Sequence, residues 1–404
     1  MRILYLSQYF PPEIGATQTR AIEMTLNLVK QGHDVTVLTE FPNHPKGIIP
    51  AEYKNKLVEY ELLNGIHVYR SWVYARPDKN FYTRMGFYLS YMLTAAITGS
   101  FLKGPYDVVY ATSPPFFVGV SGLWLSRLKN AKFVFEVRDL WPESAVELGE
   151  LSNSKFIKWA EKLENYYYKK ADAIISVTGG IRDKLAARGY RKKVKVVLNG
   201  TNTELFSNKG QALKTQLGLQ DKFVVLYAGI IGIAQGMDQL CDVVEKMKSS
   251  KDVHFVFIGE GPVKSTVDKI KREKSLTNLT LLEEVPRELI PAYISAADCC
   301  LVPLKKNKLF LGALPSKMFD VMACERPVIL SVDGEARSVL EDAKAGIFVE
   351  PENIDHMISA IQKLRNNPGL SRKMGKAGRS YVEQYFSRRQ KAQELEQILI
   401  ELTN

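Results

Sequence analysis

Residues 312–331, GALPSKMFDVMACERPVILS, contain an apolar helix pattern followed at once by an apolar strand pattern. Pro315 and Ser316 are typical of a helix start, because proline fits the first helical turn and serine serves as cap or first residue. Met318, Val321 and Met322 then share one helical face. A helix that leads directly into an uninterrupted apolar strand is typical of a parallel sheet covered by helices on both faces.

The same alternation extends outward over most of the 404 residues, in two series. Strands of the first series are predicted at 2–7, 34–39, 65–72, 107–112, 132–137, 172–177 and 194–199. Strands of the second series are predicted at 223–229, 253–259, 279–284, 299–304, 326–331 and 346–350. The polar stretch 199–211 separates the two series. The predicted fold is therefore α/β, with two doubly wound, Rossmann-like domains that meet near residue 200.

Composition limits the class of partner. The chain has a formal net charge of +11, which suits either a soluble basic surface or an anionic partner such as headgroups or phosphorylated substrates. It carries no zinc-finger or RRM signature, so nucleic acid is not expected.

The four cysteines form no CxxC pair and lie in apolar runs, and the opening MRILYLS is typical of a strand, not a signal peptide. We expect a reducing cytosol.

Residues 85–102, MGFYLSYMLTAAITGSFL, carry no charge, and Arg84 and Lys103 flank them. Three interpretations stay open: a spanning helix, a core helix, and a helix that lies in a membrane interface. Under the third, the aromatic residues Phe87, Tyr88 and Tyr91 are the expected contacts with a membrane or a lipid-linked acceptor.

Loops that follow strands are the expected ligand sites, because ligands of open parallel sheets bind beyond the carboxyl ends of the strands. In 7–20, Gly15 precedes a helix whose start could hold phosphate, or it is a turn glycine. The loops 228–240 and 258–264 are rich in glycine, but neither completes GxGxxG, and Lys264 stands where the third glycine would be. Lys264 in a first helical turn indicates an anion nearby, or it is a solvated side chain.

The loop 303–319 holds Lys305, Lys306, Lys308 and Lys317. Free amide groups at the helix start and a lysine can bind a diphosphate, and Ser316 lies at that start. Asp320, one turn further, can accept two ribose hydroxyls. The alternative for Lys317 and Asp320 is a surface ion pair.

Charged residues also follow the strand in FEVRDLWPES (135–144), where Arg138, Asp139 and Glu143 could form a site or a buried ion pair. The scattered histidines, with no HExxH, indicate no metal site, and GxSxG is absent.

Six segments, in order, carry a resemblance to a known family: SQYFPPEIGATQTR, TSPPFFVG, FEVRDLWPES, VVLNGTNTELF, YAGIIGIAQG and LPSKMFDVMACERPVI. The whole chain resembles the retaining glycosyltransferases of family 4, which have the GT-B fold of two Rossmann-like domains facing a cleft. It looks most like the branch that adds N-acetyl amino sugars such as N-acetylfucosamine in bacterial O-antigen or capsule synthesis.

The resemblance implies an acceptor-binding domain at 1–199 and a domain that binds a nucleotide sugar at 200–386. It also implies a helix at 387–404 that returns to the first domain. The donor would be UDP-linked, and lysines and helix ends would neutralise its diphosphate, so no metal or other cofactor is expected. The acceptor would be a glycan on polyprenyl diphosphate, used by a cytoplasmic enzyme on the inner face of an anionic plasma membrane.

By position, Asp320 matches the ribose-binding acid of the family, whereas Gly312 stands where the first acid of Glu-x7-Glu would be. Gly15 matches the glycine near the donor phosphate. Arg138 and Asp139 match the cleft cluster expected to contact acceptor or sugar, which makes them the candidate catalytic residues. Ile233 and Gln235 stand where relatives carry phosphate-binding cations. The expected phosphate-binding residues of this chain are therefore Lys264, Lys305 and Lys317.

Two other functions stay open on this sequence. One keeps the fold but changes the class, to an isomerase of the UDP-N-acetylglucosamine 2-epimerase kind. The other is a nucleotide-binding protein without catalysis.

Overall fold

The structure, a computed structural model, describes residues 1–44, 46–78, 80–147, 149, 151–208 and 211–404, without the side chains of Gln211, Ala212 and Leu309. The chain divides into two compact units. Unit 1 comprises Met1–Asn199 with Arg389–Asn404, and unit 2 comprises Gly200–Arg388.

Unit 1 is built on an eight-stranded sheet in the order β3-β4-β2-β1-β5-β6-β7-β8, parallel except for β3. Its strands are β1 Arg2–Leu6, β2 Asp34–Glu40, β3 Val58–Leu63, β4 Ile66–Ser71, β5 Val108–Ser113, β6 Lys132–Val137, β7 Ala173–Ser176 and β8 Val194–Val196. Its helices are α1 Ala16–Lys30, α2 Phe81–Phe101, α3 Val118–Leu128, α4 Glu143–Glu147, α5 Ser154–Lys170 and α6 Gly179–Leu185, joined by the last helix, α15 Arg388–Thr403.

Both faces of this sheet are buried, as uninterrupted apolar strands require. Side chains alternate along β1, so that Ile3 and Tyr5 pack into the core under α1 and α15. Leu4 and Leu6 pack into the opposite core, which α2, α3 and α5 cover. Among the described helices, none combines the length and the apolar character needed to cross a bilayer.

Unit 2 has a six-stranded parallel sheet in the order β11-β10-β9-β12-β13-β14. Its strands are β9 Phe223–Ala228, β10 Val253–Ile258, β11 Leu279–Leu282, β12 Cys299–Pro303, β13 Val328–Ser331 and β14 Gly346–Phe348. Its helices are α7 Gln211–Gln216, α8 Met237–Lys246, α9 Lys264–Glu273, α10 Ile290–Ala296, α11 Ser316–Ala323, α12 Glu335–Ala343, α13 Ile354–Asn366 and α14 Pro368–Tyr385. The prediction of two Rossmann-like units is confirmed.

Strand β3 was not predicted from the sequence. In β3 the glutamates alternate with apolar residues, and the strand forms an antiparallel hairpin with β4. Asn64 and Gly65 make the turn, both with positive φ, which is the backbone that a two-residue hairpin needs. The Asn-Gly pair was the available signal.

A buried ion pair joins three parts of unit 1. The Arg20 guanidinium on α1 donates to Glu136 Oε2 on β6 at 2.7 and 2.9 Å, and both side chains are about 1% exposed. Arg20 also donates to the carbonyls of Val197 and Leu198, where the chain leaves the sheet. Tyr110 and Thr112 donate to Glu136 from the neighbouring strand.

We predict that Arg20→Met destabilises the protein by about 3–5 kcal/mol, because it leaves the Glu136 carboxylate buried without its counter-charge. Scanning calorimetry of the full chain measures the loss as a lowered unfolding temperature. The matched control is Arg182→Met, whose exposed ion pair with Asp183 should contribute little to stability. Equal unfolding temperatures for the two variants would contradict the prediction.

Candidate functional site

The donor-side residues predicted from the sequence gather around the start of α11. Lys317 is partly buried, and its Nζ donates to the Tyr227 hydroxyl at 3.3 Å and lies 4.5 Å from the centre of that ring. The Tyr227 hydroxyl in turn donates to the Ile230 carbonyl in the loop after β9. The ammonium group therefore lies beside the glycine loop 229–236.

Burial lowers the pKa of the Lys317 ammonium to about 8, and the nearby Asp320 carboxylate only partly opposes this. A lysine in the first turn of a helix is also unfavourable with respect to the helix dipole. A positive charge kept in such a position is typical of a site where an anion binds. The amide groups at the start of α11 favour the same kind of ligand.

Asp320 lies one turn further along α11 and accepts a hydrogen bond from the Thr201 hydroxyl at 2.5 Å. Thr201 is fixed by backbone hydrogen bonds to Phe386 and Arg388, and it pairs with Ser387 in an isolated bridge. The carboxylate is therefore held from the segment where the chain enters unit 2. Sequence reasoning found Asp320 but missed Thr201 and Tyr227.

The other predicted donor residues have protein partners. Lys264, the first residue of α9, forms an ion pair with Glu260 in the preceding loop, so the anion expected near Lys264 is a carboxylate of this chain. Lys305 Nζ lies 3.6 Å from Asp238 Oδ2, and the Lys305 amide donates to the Ala234 carbonyl in the glycine loop. Lys305 is therefore near the loop, with part of its charge balanced.

Ser316 is the first residue of α11 and makes no capping hydrogen bond, because Pro315 occupies the cap position. Gln235 lines a small surface pocket together with Ser331 and Asn353. Lys306 pairs with Glu350 at 2.9 Å, and its side chain is exposed.

The glycines of unit 2 allow two loops to pack closely. A Cβ on Gly259 would lie 1.9 Å from the Gly229 carbonyl oxygen, and a Cβ on Gly229 would lie 2.6 Å from Lys317 Nζ. Both residues also have positive φ. The glycine at 229 thus leaves room for the ammonium group, and the glycine at 259 holds the neighbouring loop against it.

In unit 1, Arg138 and Asp139 follow β6, and the Arg138 amide donates to the Ser113 carbonyl at 3.0 Å. Desolvation raises the pKa of Asp139, whereas hydrogen bonds from Ser144 and Leu140 oppose that rise. Glu143 pairs with Lys184 and Arg188. The predicted cluster thus contains a loop-ordering carboxylate and an ion-pair network.

Gly15 directly precedes α1 with extended backbone, and its carbonyl accepts from Thr19 in the first helical turn. Nearby, two acids that sequence reasoning missed lie at the carboxyl ends of β1 and β2. Glu13 accepts from the amides of Asn43 and His44 at 2.8 Å, and Glu40 accepts from Gln8 and Asn43.

Burial, and then the charge of Glu13, raises the pKa of Glu40 well above its usual range. The Tyr9 ring lies 5.8 Å from His44 and 6.4 Å from Phe87 at the same edge. This edge therefore combines carboxyl groups with aromatic faces, which suits a hydroxyl-rich ligand.

The aromatic residues predicted on α2 divide between two environments. Tyr91 is about 1% exposed, and its hydroxyl donates to the Leu38 carbonyl at 2.8 Å. The prediction that Tyr91 contacts a membrane or acceptor is therefore wrong, because the residue belongs to the core. Phe87 and Tyr88 are partly buried and pack against that core, on the side of Tyr9.

Comparison with known proteins places both halves of the chain in glycosyltransferase families. Residues 15–200 match the model "Glycosyl transferase 4-like domain", and residues 209–381 match "Glycosyl transferases group 1". The Escherichia coli protein WcaI, whose name describes a colanic acid biosynthesis glycosyl transferase, is 22% identical to this chain. The match covers 90% of this chain and 92% of WcaI. Alpha-monoglucosyldiacylglycerol synthase of Acholeplasma laidlawii is 24% identical over 92% of this chain and 89% of its own.

Two solved structures share the fold. HepE of Anabaena, in complex with UDP and glucose, has a TM-score of 0.74 at 16% identity, over 99% of this chain and 100% of its own. Sucrose-phosphate synthase of Thermosynechococcus elongatus has a TM-score of 0.73 at 19% identity, over 99% of this chain and 98% of its own.

We predict that Gly259→Ala destabilises unit 2 by about 2 kcal/mol or more, since the new methyl group meets a backbone oxygen in a positive-φ conformation. The measurement is the unfolding temperature by calorimetry. Gly369→Ala is the control, because its Cβ meets no atom within 4 Å on helix α14, and alanine should stabilise that helix by about 0.5–1 kcal/mol. A harmless Gly259→Ala would show that the loops do not need this close approach.

Proposed function

We propose that this chain, which carries both domains of a family 4-type GT-B glycosyltransferase, transfers a sugar from a UDP-sugar to a polyprenyl-diphosphate-linked glycan. The sugar is an N-acetyl amino sugar such as N-acetylfucosamine, and the product enters surface polysaccharide synthesis. The observation that carries the proposal is the Lys317 ammonium, held at the start of α11 beside a glycine loop.

The donor site is the start of α11 in unit 2. Lys317 and the first amides of the helix bind the diphosphate, and Asp320 accepts from the ribose hydroxyls while Thr201 orients its carboxylate. Lys305 adds positive charge near the loop after β9. Ser316 and Gln235 add neutral hydrogen-bonding groups to the same proposed site. Lys264 contributes less, since Glu260 already balances its charge. The UDP complexes of HepE, which shares the fold, support a UDP-linked donor.

The acceptor site lies in unit 1, at the edge of the sheet that holds Arg138 and Asp139 after β6. WcaI is named for polysaccharide synthesis, and the Acholeplasma enzyme is named for a glycolipid product, which supports a lipid-linked acceptor at a membrane. Phe87 and Tyr88 lie on the side of Tyr9, where their rings can pack against a sugar or a prenyl chain. An enzyme with such an acceptor acts on the inner face of the plasma membrane.

Transfer proceeds with retention of the anomeric configuration. The bond between the anomeric carbon and the UDP oxygen breaks, and the acceptor oxygen bonds to that carbon on the same face. The acceptor proton passes to the departing phosphate oxygen, so the reaction needs no separate base. Ammonium groups and helix amides stabilise the charge on the leaving diphosphate, so no metal ion is required.

Radiolabelled UDP-sugars, incubated with membranes that carry polyprenyl-linked glycan, test the proposal directly. The expected result is transfer of label to the lipid fraction in the presence of EDTA. NMR of the product should show the same anomeric configuration, α or β, as the sugar had in the UDP-sugar. Formation of an epimer without acceptor would instead indicate an isomerase. UDP binding without transfer of any sugar would indicate a non-catalytic protein.

We predict that Lys317→Met and Asp320→Ala each weaken UDP binding by about tenfold or more, since each removes a charged hydrogen-bonding group from the site. Isothermal titration calorimetry gives the affinities. Lys306→Met is the matched control, because this exposed lysine pairs with Glu350 and should leave the affinity within about twofold. Unchanged UDP affinity in Asp320→Ala would place the nucleotide elsewhere.

We also predict that UDP affinity changes little between about pH 7 and 8 and falls as the pH rises further, through the Lys317 pKa. The direction of this change follows from the charge of UDP. The bound anion stabilises the ammonium form of Lys317 and raises its pKa, so binding above pH 8 requires the uptake of a proton. Calorimetry in two buffers of different ionisation enthalpy measures that uptake. In Lys317→Met the pH dependence in this range should disappear, and its persistence would assign the titration to another group.

A further inference from the structure

The outward side of α2 is apolar, although it faces solvent. Leu89, Leu93, Ile97 and Phe101 recur every four residues and form one stripe, in which Ile97 is 58% and Phe101 82% exposed. A helix on a protein surface normally turns polar residues outward. This helix already buries its other side, including Tyr91, in the core. The outer stripe is therefore a second apolar face that the fold does not cover.

The neighbouring helix α3 extends this surface. Trp124 is 55% exposed, and its indole N–H donates to Ser100 Oγ on α2 at 3.1 Å, so the two helices present one surface. Leu128, one turn further along α3, is also about half exposed.

Helix α5 continues the layer. Arg127 of α3 donates to the Tyr166 hydroxyl at 3.0 Å, and Trp159 of α5 is about half exposed. We call this surface, made of Leu93, Ile97, Phe101, Trp124, Leu128 and Trp159, the outer apolar layer. Its tryptophan side chains, each with an indole N–H, are typical of groups that lie between apolar and aqueous surroundings.

The charges around the outer apolar layer are one-sided. The described residues of α2, α3 and α5 include two acids, Glu161 and Glu164. Glu161 is exposed, whereas Glu164 is buried against Arg188 and Tyr168. The bases on the same helices number seven: Arg84, Arg127, Lys155, Lys158, Lys162, Lys169 and Lys170. An apolar face with a basic border matches a surface that is itself apolar inside and anionic outside.

We propose that the outer apolar layer docks unit 1 onto a bilayer that carries anionic headgroups. The apolar side chains enter the boundary between headgroups and acyl chains, and the lysines of α5 contact the lipid phosphates. The residues differ from those predicted on α2 from the sequence, because Tyr91 lies in the core and Phe87 and Tyr88 face Tyr9. The proposal adds to the proposed function, since a lipid-linked acceptor requires the enzyme at a membrane, but vesicle binding tests it without any transfer reaction.

The test is sedimentation of the full chain with vesicles of phosphatidylglycerol and phosphatidylcholine, compared with phosphatidylcholine alone. Wild-type protein should bind the anionic vesicles more tightly, less so in high salt, with a blue shift of tryptophan emission from Trp124 and Trp159. Leu93→Glu combined with Ile97→Glu should lower binding by about tenfold or more, because both carboxylates would have to enter the interface. Lys158→Glu should lower it by about fivefold or more.

Leu289→Glu is the matched control, since Leu289 is a leucine of similar exposure in unit 2 and should leave vesicle binding unchanged. A far-ultraviolet circular dichroism spectrum and an unfolding temperature equal to those of the wild type show that each variant is folded. Wild-type binding by Leu93→Glu/Ile97→Glu would overturn the proposal, and so would equal binding to neutral vesicles. Conversion of a dimer into a monomer by this variant, with vesicle binding retained, would assign the layer to self-association. Vesicle binding without any sugar transfer would contradict only the proposed function.

Discussion

The Arg20–Glu136 pair is the interaction on which the first unit depends. It is buried between helix α1 and the sheet, where an unpaired charge of either sign would be costly. Hydrogen bonds from Tyr110 and Thr112 complete the acceptor side. Burial opposes ionisation of Glu136, but the charge and hydrogen bonds of Arg20 outweigh it and lower the pKa of the carboxyl. Since Arg20 also holds the carbonyls of 197 and 198, one side chain fixes the first helix, a central strand and the exit of the chain.

In the second unit, helix α11 has a comparable role. Its Phe319 ring stacks on Phe386 at 4.3 Å, Asp320 is held by Thr201, and Lys317 is held by Tyr227. Arg379 donates to the carbonyls of Ala323, at the end of the helix, and of Thr203. The residues proposed to bind the nucleotide are therefore attached to the segments at which the chain enters and leaves this unit. Preorganisation of this kind lowers the cost of ordering a charged site when the ligand binds.

Helix α2 shows how one apolar segment can serve two surroundings. Its inner side completes the core through Tyr91 and Ala95, and its outer side repeats apolar residues every four positions. The charge-free sequence is thus explained by burial on one side and by the proposed membrane contact on the other. A spacing of four residues on both sides leaves no room for the polar face that a solvent-exposed helix would need.

The sequence by itself determined the two-unit α/β architecture, because strand and helix patterns are local and their alternation persists along both halves. It also located Lys317 and Asp320, since a helix start has a recognisable composition. The ion pair of Glu260 and Lys264 could not be predicted from the spacing of four residues, because Glu260 lies in the loop before α9. The Asn64–Gly65 turn was visible in the sequence.

Only the tertiary structure decided which distant groups meet. Arg20 and Glu136 are 116 residues apart, Thr201 and Asp320 are 119 apart, and Tyr227 and Lys317 are 90 apart. No periodicity encodes such pairs, because strand order and helix rotation set them. The same holds for α2, where the angle at which the helix packs on the sheet put Tyr91 inside and Ile97 outside. Composition shows that a helix is apolar, but packing decides which of its sides the protein covers.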